Sequence, residues 1–234
     1  MIKKIKQLAH ISLTNNGVME ISREIVAVIF DLDGVITDTA EYHFLSWKKL
    51  SEEEGIDFTR EDNEQFRGVS RRECLEILLE GRDVSEAKKE KLAERKNDYY
   101  REYLKNLNQD NLLPGVKQML SYLKYSKYKM AVASSIKNTH IVLENLGIKD
   151  YFDTISDGNS VENSKPEPDI FLHTADKLGV NPESCLVIED AKSGIKGASR
   201  AGMKTIGVGP EERVGNADYR YEKVEDIDLE SILS

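Results

Sequence analysis

No run of about 18 or more apolar residues occurs in the 234-residue chain, which excludes a membrane-spanning helix. Cysteine is scarce. Cys74 and Cys185 make no disulfide framework, and a reducing, cytoplasmic setting is the expectation. The first residues carry Lys3, Lys4 and Lys6 but lack the apolar stretch and small-residue cleavage site of a secretory signal. No Lys/Arg block is free of interleaved acids, and the net charge is -9, so a nucleic-acid partner is not expected. Internal repeats and low-complexity linkers are likewise missing. What remains is 39% hydrophobic and 32% charged, the composition of a soluble globular protein. An acidic chain of this kind binds an anion only by gathering cations or a metal locally.

Residues 25–30, Ile-Val-Ala-Val-Ile-Phe, form an apolar, largely β-branched run that stops at Asp31-Leu32-Asp33-Gly34. Such a run reads as a strand buried on both faces, hence parallel and central. Residues 130–133, 185–188 and 205–208 repeat the pattern, and 154–156 is a weaker candidate. Helical spacing of apolar residues over 116–123 and 141–146 separates the later strands, with Gly147 and Gly179 as helix stops. Alternation of strand and helix predicts an α/β fold with a doubly wound, Rossmann-like parallel sheet. Residues 41–54, 71–79 and 86–104 read as helices with no strand between them. Thr59-x-x-Asp62 and Ser70-x-x-Glu73 mark helix starts, the second as a capping box. The expected organisation is therefore an α/β core of residues 23–38 and 109–234, with an inserted all-α cap domain over 39–108. Residues 1–22 form an N-terminal extension without a convincing pattern.

Chemistry concentrates at the predicted strand ends, where open α/β sheets bind ligands. Asp31 projects there and could attack phosphorus. Asp33 could protonate a leaving oxygen or deprotonate an incoming hydroxyl. The plainer reading of Asp-x-Asp-Gly is a turn. Ser134 and Ser135 follow the second strand, where a hydroxyl could hold a phosphoryl oxygen or be ordinary loop. Glu189 and Asp190 follow the third, where adjacent acids need solvent or a cation. With Asp31 they offer the hard oxygens that Mg²⁺ prefers; the alternative for Asp190 is a helix N-cap. Lys165 lies between Ser164 and Pro166, in a segment stiffened by Pro166 and Pro168, and could neutralise charge on a transferring group. Thr39, His43 and Trp47 share one helical face, which by itself means only packing.

These features, in this order, resemble the four motifs of the haloacid dehalogenase superfamily, and most closely its β-phosphoglucomutase branch. The run from Phe30 through His43 and Phe44 to Trp47 carries the closer likeness. So do Asn63-Glu64-Gln65, Gly68-Val69-Ser70-Arg71, Arg95-Lys96-Asn97-Asp98, Ser164-Lys165-Pro166 and Gly207-Val208-Gly209. The likeness extends from about Ile25 to the C-terminus. It implies Asp31 as the phosphorylated nucleophile and Asp33 as general acid/base. It implies Mg²⁺ held by Asp31, the Asp33 carbonyl, Glu189 and Asp190, and a transferring phosphoryl group held by Ser134 and Lys165. Arg71, Lys137 and Asn138 take the non-reacting phosphate, with Gly68, Trp47 and Ser135 also at the substrate. Thr39 sits at the hinge to the cap, and His43 and Lys96 couple substrate binding to closure.

Cys74 and Ile136 stand where this branch typically has serine, and Ser135 where it has a small apolar residue. A missing neutral hydrogen bond is worth about 0.5–1.5 kcal/mol, so the Ile136 change lowers affinity for the non-reacting phosphate without abolishing activity. The implied activity is a Mg²⁺-dependent isomerase that interconverts β-glucose 1-phosphate and glucose 6-phosphate. It works through phospho-Asp31, with glucose 1,6-bisphosphate as primer and intermediate, on a small phosphosugar and as a monomer. The competing expectation is a sugar-phosphate phosphatase on the same scaffold. A third, a phosphosugar-binding regulator without turnover, fits poorly with five intact site residues (Asp31, Asp33, Lys165, Glu189 and Asp190).

Overall fold

The computed structural model describes residues 9–13, 19–66 and 70–234. Strand β3 (Ala27–Phe30) is fully buried and lies inside a six-stranded sheet. Around it stand β4 (Lys129–Ala133), β5 (Thr154–Ser156), β6 (Cys185–Glu189), β7 (Lys204–Val208) and β8 (Tyr219–Tyr221), in the order β5-β4-β3-β6-β7-β8. Every pairing is parallel. The period of two sorts side chains onto two faces. Val28, Phe30, Met130, Val132, Leu186 and Ile188 enter one apolar cluster. Helices α5 (Val116–Tyr125) and α6 (Thr139–Asn145) cover that face. Ala27, Ile29, Ala131, Ala133, Cys185 and Val187 enter a second cluster, under α7 (Asp169–Leu178) and α8 (Lys192–Arg200). The doubly wound expectation holds.

Between β3 and α5 the chain forms α1 (Ala40–Glu53), α2 (Arg60–Glu64), α3 (Arg71–Leu78) and α4 (Glu86–Leu104), with no strand among the described residues. They enclose their own core of Phe44, Trp47, Leu50, Phe58, Phe66, Leu75 and Leu92. The Trp47 and Phe66 rings meet edge-on at 5.3 Å. Both expected helix starts are reciprocal capping boxes: Thr59 with Asp62, and Ser70 with Glu73. Helix α4 is shared between the two cores, because Leu92 packs in the helical block while Tyr100 and Leu104 pack in the cluster against the sheet.

Two features were not anticipated. β1 (Ala9–Leu13) and β2 (Met19–Arg23) pair antiparallel, with Ile11 opposite Ile21 and Leu13 opposite Met19. The described part of the extension thus contains a pair of strands. The other is β8, whose Tyr-Arg-Tyr sequence has no apolar run to announce it. Two short helices, α9 (Glu211–Val214) and α10 (Leu229–Leu233), complete the C-terminal part. Among the described residues no helix is long and apolar enough to cross a membrane.

Candidate active site

The expected acids and Lys165 converge at the carboxyl ends of β3 and β6. Asp31 follows β3 directly, and its backbone N–H donates to the Ile188 carbonyl at 2.9 Å. Glu189 is the last residue of β6. Lys165, on the loop before α7, donates to Asp31 Oδ1 at 2.6 Å and to Glu189 Oε2 at 2.7 Å. Its side chain is only 7% exposed. Burial alone would push the Lys165 ammonium down, but Asp31 and Glu189 outweigh it and hold the pKa above the usual lysine range. Burial, and then the charge of Asp31, pushes the Glu189 carboxyl up.

Asp31, Glu189 and Asp190 each offer an oxygen within 4.8 Å of the others. Two glycines make room for this approach. Gly34 has φ of 75°, and a Cβ there would lie 2.4 Å from Asp190 Oδ2. A Cβ at Gly194, on α8, would lie 2.0 Å from the Glu189 carboxyl carbon. Three clustered carboxylates, two of them bridged by one ammonium, form an oxygen-rich set that fits a magnesium ion. Asp190 does not cap α8. The N-cap is Ala191, whose N–H donates to Glu189 Oε1 at 3.2 Å. Arg213 Nη2 lies 3.7 Å from Asp190 Oδ2, a neighbour the motifs did not flag.

Asp33 is held by the start of the helical block. Thr39 N donates to Asp33 Oδ1 at 3.0 Å, and Thr39 Oγ1 lies 2.9 Å and 3.0 Å from the two carboxyl oxygens. Burial pushes the Asp33 carboxyl up to about 7, against the lowering effect of Thr39. Thr39 Oγ1 also lies 2.9 Å from the Tyr100 hydroxyl. Tyr100 carries no motif. Its only sequence signal is its place one helical turn after Lys96.

His43 and Lys96 meet: Lys96 Nζ lies 3.0 Å from His43 Nδ1. Burial, then the Arg71 charge, lowers Lys96 to about 7, while burial and then Lys96 hold His43 well below its ordinary value. Trp47 is buried in the helical core, with the Lys96 ammonium 4.9 Å from its ring centroid. Arg71 starts α3, and its guanidinium reaches the Ala93 carbonyl at 3.5 Å. Gly68 lies outside the described residues.

Ser134 is buried at the end of β4, where Ser134 Oγ accepts from Ile136 N at 3.2 Å, while Ser135 is exposed. Lys137 is exposed, and its carbonyl accepts from the Asn159 amide at 3.3 Å. Asn138 precedes α6 but makes no cap with its side chain. It donates instead to Asn97 Oδ1 on α4 at 2.9 Å, joining the sheet side to the helical block. Cys74 is buried, and its thiol approaches the Phe66 carbonyl at 3.9 Å.

Known proteins match this chain along most of its length. The haloacid dehalogenase-like hydrolase family model matches residues 28–208. A β-phosphoglucomutase of Bacillus subtilis is 44% identical over 208 residues, covering 87% of this chain and 92% of that protein. A phosphorylated carbohydrates phosphatase of Thermotoga maritima is 35% identical, covering 77% of this chain and 83% of its own. Among solved structures, β-phosphoglucomutase from Clostridium difficile superposes with a TM-score of 0.82 at 41% identity, covering 89% of this chain and 95% of that one. With the motif residues gathered at the ends of β3, β4 and β6, the chain belongs to the haloacid dehalogenase-like hydrolase family.

Proposed function

We propose that this protein is a β-phosphoglucomutase, interconverting β-glucose 1-phosphate and glucose 6-phosphate through a phospho-Asp31 enzyme. The observation that carries the reading is Asp31 at the end of a buried strand, in contact with Lys165 and beside Glu189 and Asp190. The 44% identity to a β-phosphoglucomutase supports this choice of substrate. Asp31, the Asp33 carbonyl, Glu189 and Asp190 would hold Mg²⁺, which when bound supplies positive charge beside the phosphoryl oxygens. Lys165 and Ser134 hold the transferring group.

In the forward direction the 6-hydroxyl of β-glucose 1-phosphate attacks phospho-Asp31, and Asp33 takes its proton. The glucose 1,6-bisphosphate so formed turns round. Asp31 then attacks the phosphorus at position 1, and Asp33 returns the proton to the departing sugar oxygen. A carboxyl raised to about 7 suits a group that must both take and give a proton near neutrality. Arg71, Lys137 and Asn138 hold the phosphate that is not reacting; Ser135 and Trp47 lie at or behind the sugar pocket. Residues 39–108 act as the cap that closes over the core residues 23–38 and 109–234, with Thr39 at the hinge and His43 and Lys96 sensing the sugar. The enzyme works as a cytoplasmic monomer without nucleic-acid or membrane partners, in keeping with two buried cysteines that form no disulfide.

The test supplies β-glucose 1-phosphate, Mg²⁺ and a trace of glucose 1,6-bisphosphate, and follows glucose 6-phosphate and inorganic phosphate together. Glucose 6-phosphate is expected in large excess, and Asp31→Asn is expected to abolish its formation. Phosphate release that outpaces glucose 6-phosphate would favour the second reading, a sugar-phosphate phosphatase, for which the 35% identical Thermotoga maritima relative speaks.

A further inference from the structure

Both carboxyl oxygens of Asp33 face a single hydroxyl, that of Thr39, at 2.9 Å and 3.0 Å. The Tyr100 hydroxyl stands 2.9 Å from the same Thr39 oxygen. A threonine hydroxyl has one hydrogen to give. When Asp33 is ionised, that hydrogen goes to the carboxylate, and Tyr100 must donate to Thr39. When Asp33 carries the proton, the chain reverses: Asp33 donates to Thr39, and Thr39 to Tyr100. In either state Tyr100 completes the hydrogen bonding of the hydroxyl that holds Asp33.

Tyr100 is itself tightly placed. It is 1% exposed, its ring centroid lies 4.1 Å from that of His43, and Lys96 Nζ stands 5.0 Å from its centroid. Burial, then the charge of Asp33, holds its phenol far above the usual tyrosine range, so it keeps its proton. Lys96, Asn97 and Tyr100 all lie on α4, whose Asn97 accepts from Asn138 across the block–sheet boundary at 2.9 Å. One rigid helix therefore touches both the holder of Asp33 and a residue assigned to the distal phosphate.

We propose that Tyr100 is a positioning residue that, through Thr39, keeps Asp33 engaged at the hinge until a sugar phosphate draws α4 inward. The proposal rests on the phospho-Asp31 reading above. What it suppresses is hydrolysis, in which a water oxygen bonds to phosphorus as the bond from phosphorus to the Asp31 oxygen breaks. The water proton passes to Asp33, and inorganic phosphate departs. An Asp33 freed from Thr39 serves water before the sugar arrives.

Tyr100→Phe tests this, since it keeps the ring contacts and removes only the hydroxyl. In the assay above, the ratio of inorganic phosphate to glucose 6-phosphate is expected to rise roughly two- to tenfold, the factor one neutral hydrogen bond governs. A merely structural tyrosine would lower both products together, and an unchanged ratio overturns the proposal. In a Thr39→Val background the Tyr100→Phe change should shift the ratio no further, because the two act in series; a full additional shift also overturns it. If the parent makes no glucose 6-phosphate, the mutase reading fails instead. The positioning role is then read from the lifetime of the phosphorylated enzyme, which Tyr100→Phe shortens; an equal lifetime refutes it.

Discussion

At the scale of single residues, the site is shaped as much by missing side chains as by present ones. Gly34 both adopts a positive φ and lets Asp190 lie where a Cβ would be. Gly34→Ala is therefore expected to push Asp190 out of the acidic set and to weaken Mg²⁺ binding at least tenfold, about 1.4 kcal/mol, read by titration calorimetry. Unchanged affinity would show that Asp190 is not held by this contact. Asp33 makes a different prediction. Its folded-state pKa of about 7 lies above the ordinary 3.8, so the folded state retains a proton that the unfolded chain releases. Stability attributable to Asp33 therefore falls as pH rises from about 4 to about 7, and the cost is complete above that. Asp33→Asn should melt higher than the parent at about pH 8 and alongside it at about pH 4, with chelator present in both scans. Coincident melting at the higher pH would argue against a destabilising buried carboxylate. Asp31 and Glu189 were legible as candidates because charged residues directly after apolar runs need a reason, and Lys165 because Pro166 and Pro168 stiffen its segment. Tyr100 was not, because a tyrosine in an amphipathic helix looks like any other packed ring.

At the scale of elements, local signals marked the helix starts well. Ser70 and Glu73 exchange hydrogen bonds with each other's backbone, and so do Thr59 and Asp62, although the shorter aspartate replaces the usual glutamate. Ser70→Ala is expected to cost about 1 kcal/mol in urea unfolding. A loss below a few tenths would mean that α3 is held by its packing of Leu75 alone. The N-terminal strand pair was missed despite a visible signal. Met19-Glu20-Ile21-Ser22 alternates, and Asn16-Gly17 is a common hairpin dipeptide. β8 left no such trace. Its residues pair with β7 at the sheet edge, and edge strands need no apolar run on both faces. α4 was legible as a helix, but its division between two cores was not, because periodicity shows that a face is apolar and not which partner covers it.

At the scale of the whole molecule, the carboxyl ends of the strands collect acids that lie 158 residues apart in sequence between Asp31 and Glu189, as the parallel pairing of β3 with β6 requires. A cation that binds this set only in the folded chain must raise the melting temperature. At a hundredfold excess of Mg²⁺ over its Kd the gain is about 2.7 kcal/mol, several degrees by calorimetry. No shift with added Mg²⁺ would contradict the proposed metal site. The sequence by itself determined the parallel strands, the helical insertion and the candidate carboxylates. Each follows from local pattern: β-branched runs, helical spacing, and charge placed where burial is costly. Only the tertiary structure decided that Lys165 bridges Asp31 and Glu189, that Thr39 stands between Asp33 and Tyr100, and that Asn97 reaches Asn138. Those contacts depend on how strands register and how α4 lies across two cores, and no short-range pattern in a chain encodes a distance between its remote parts.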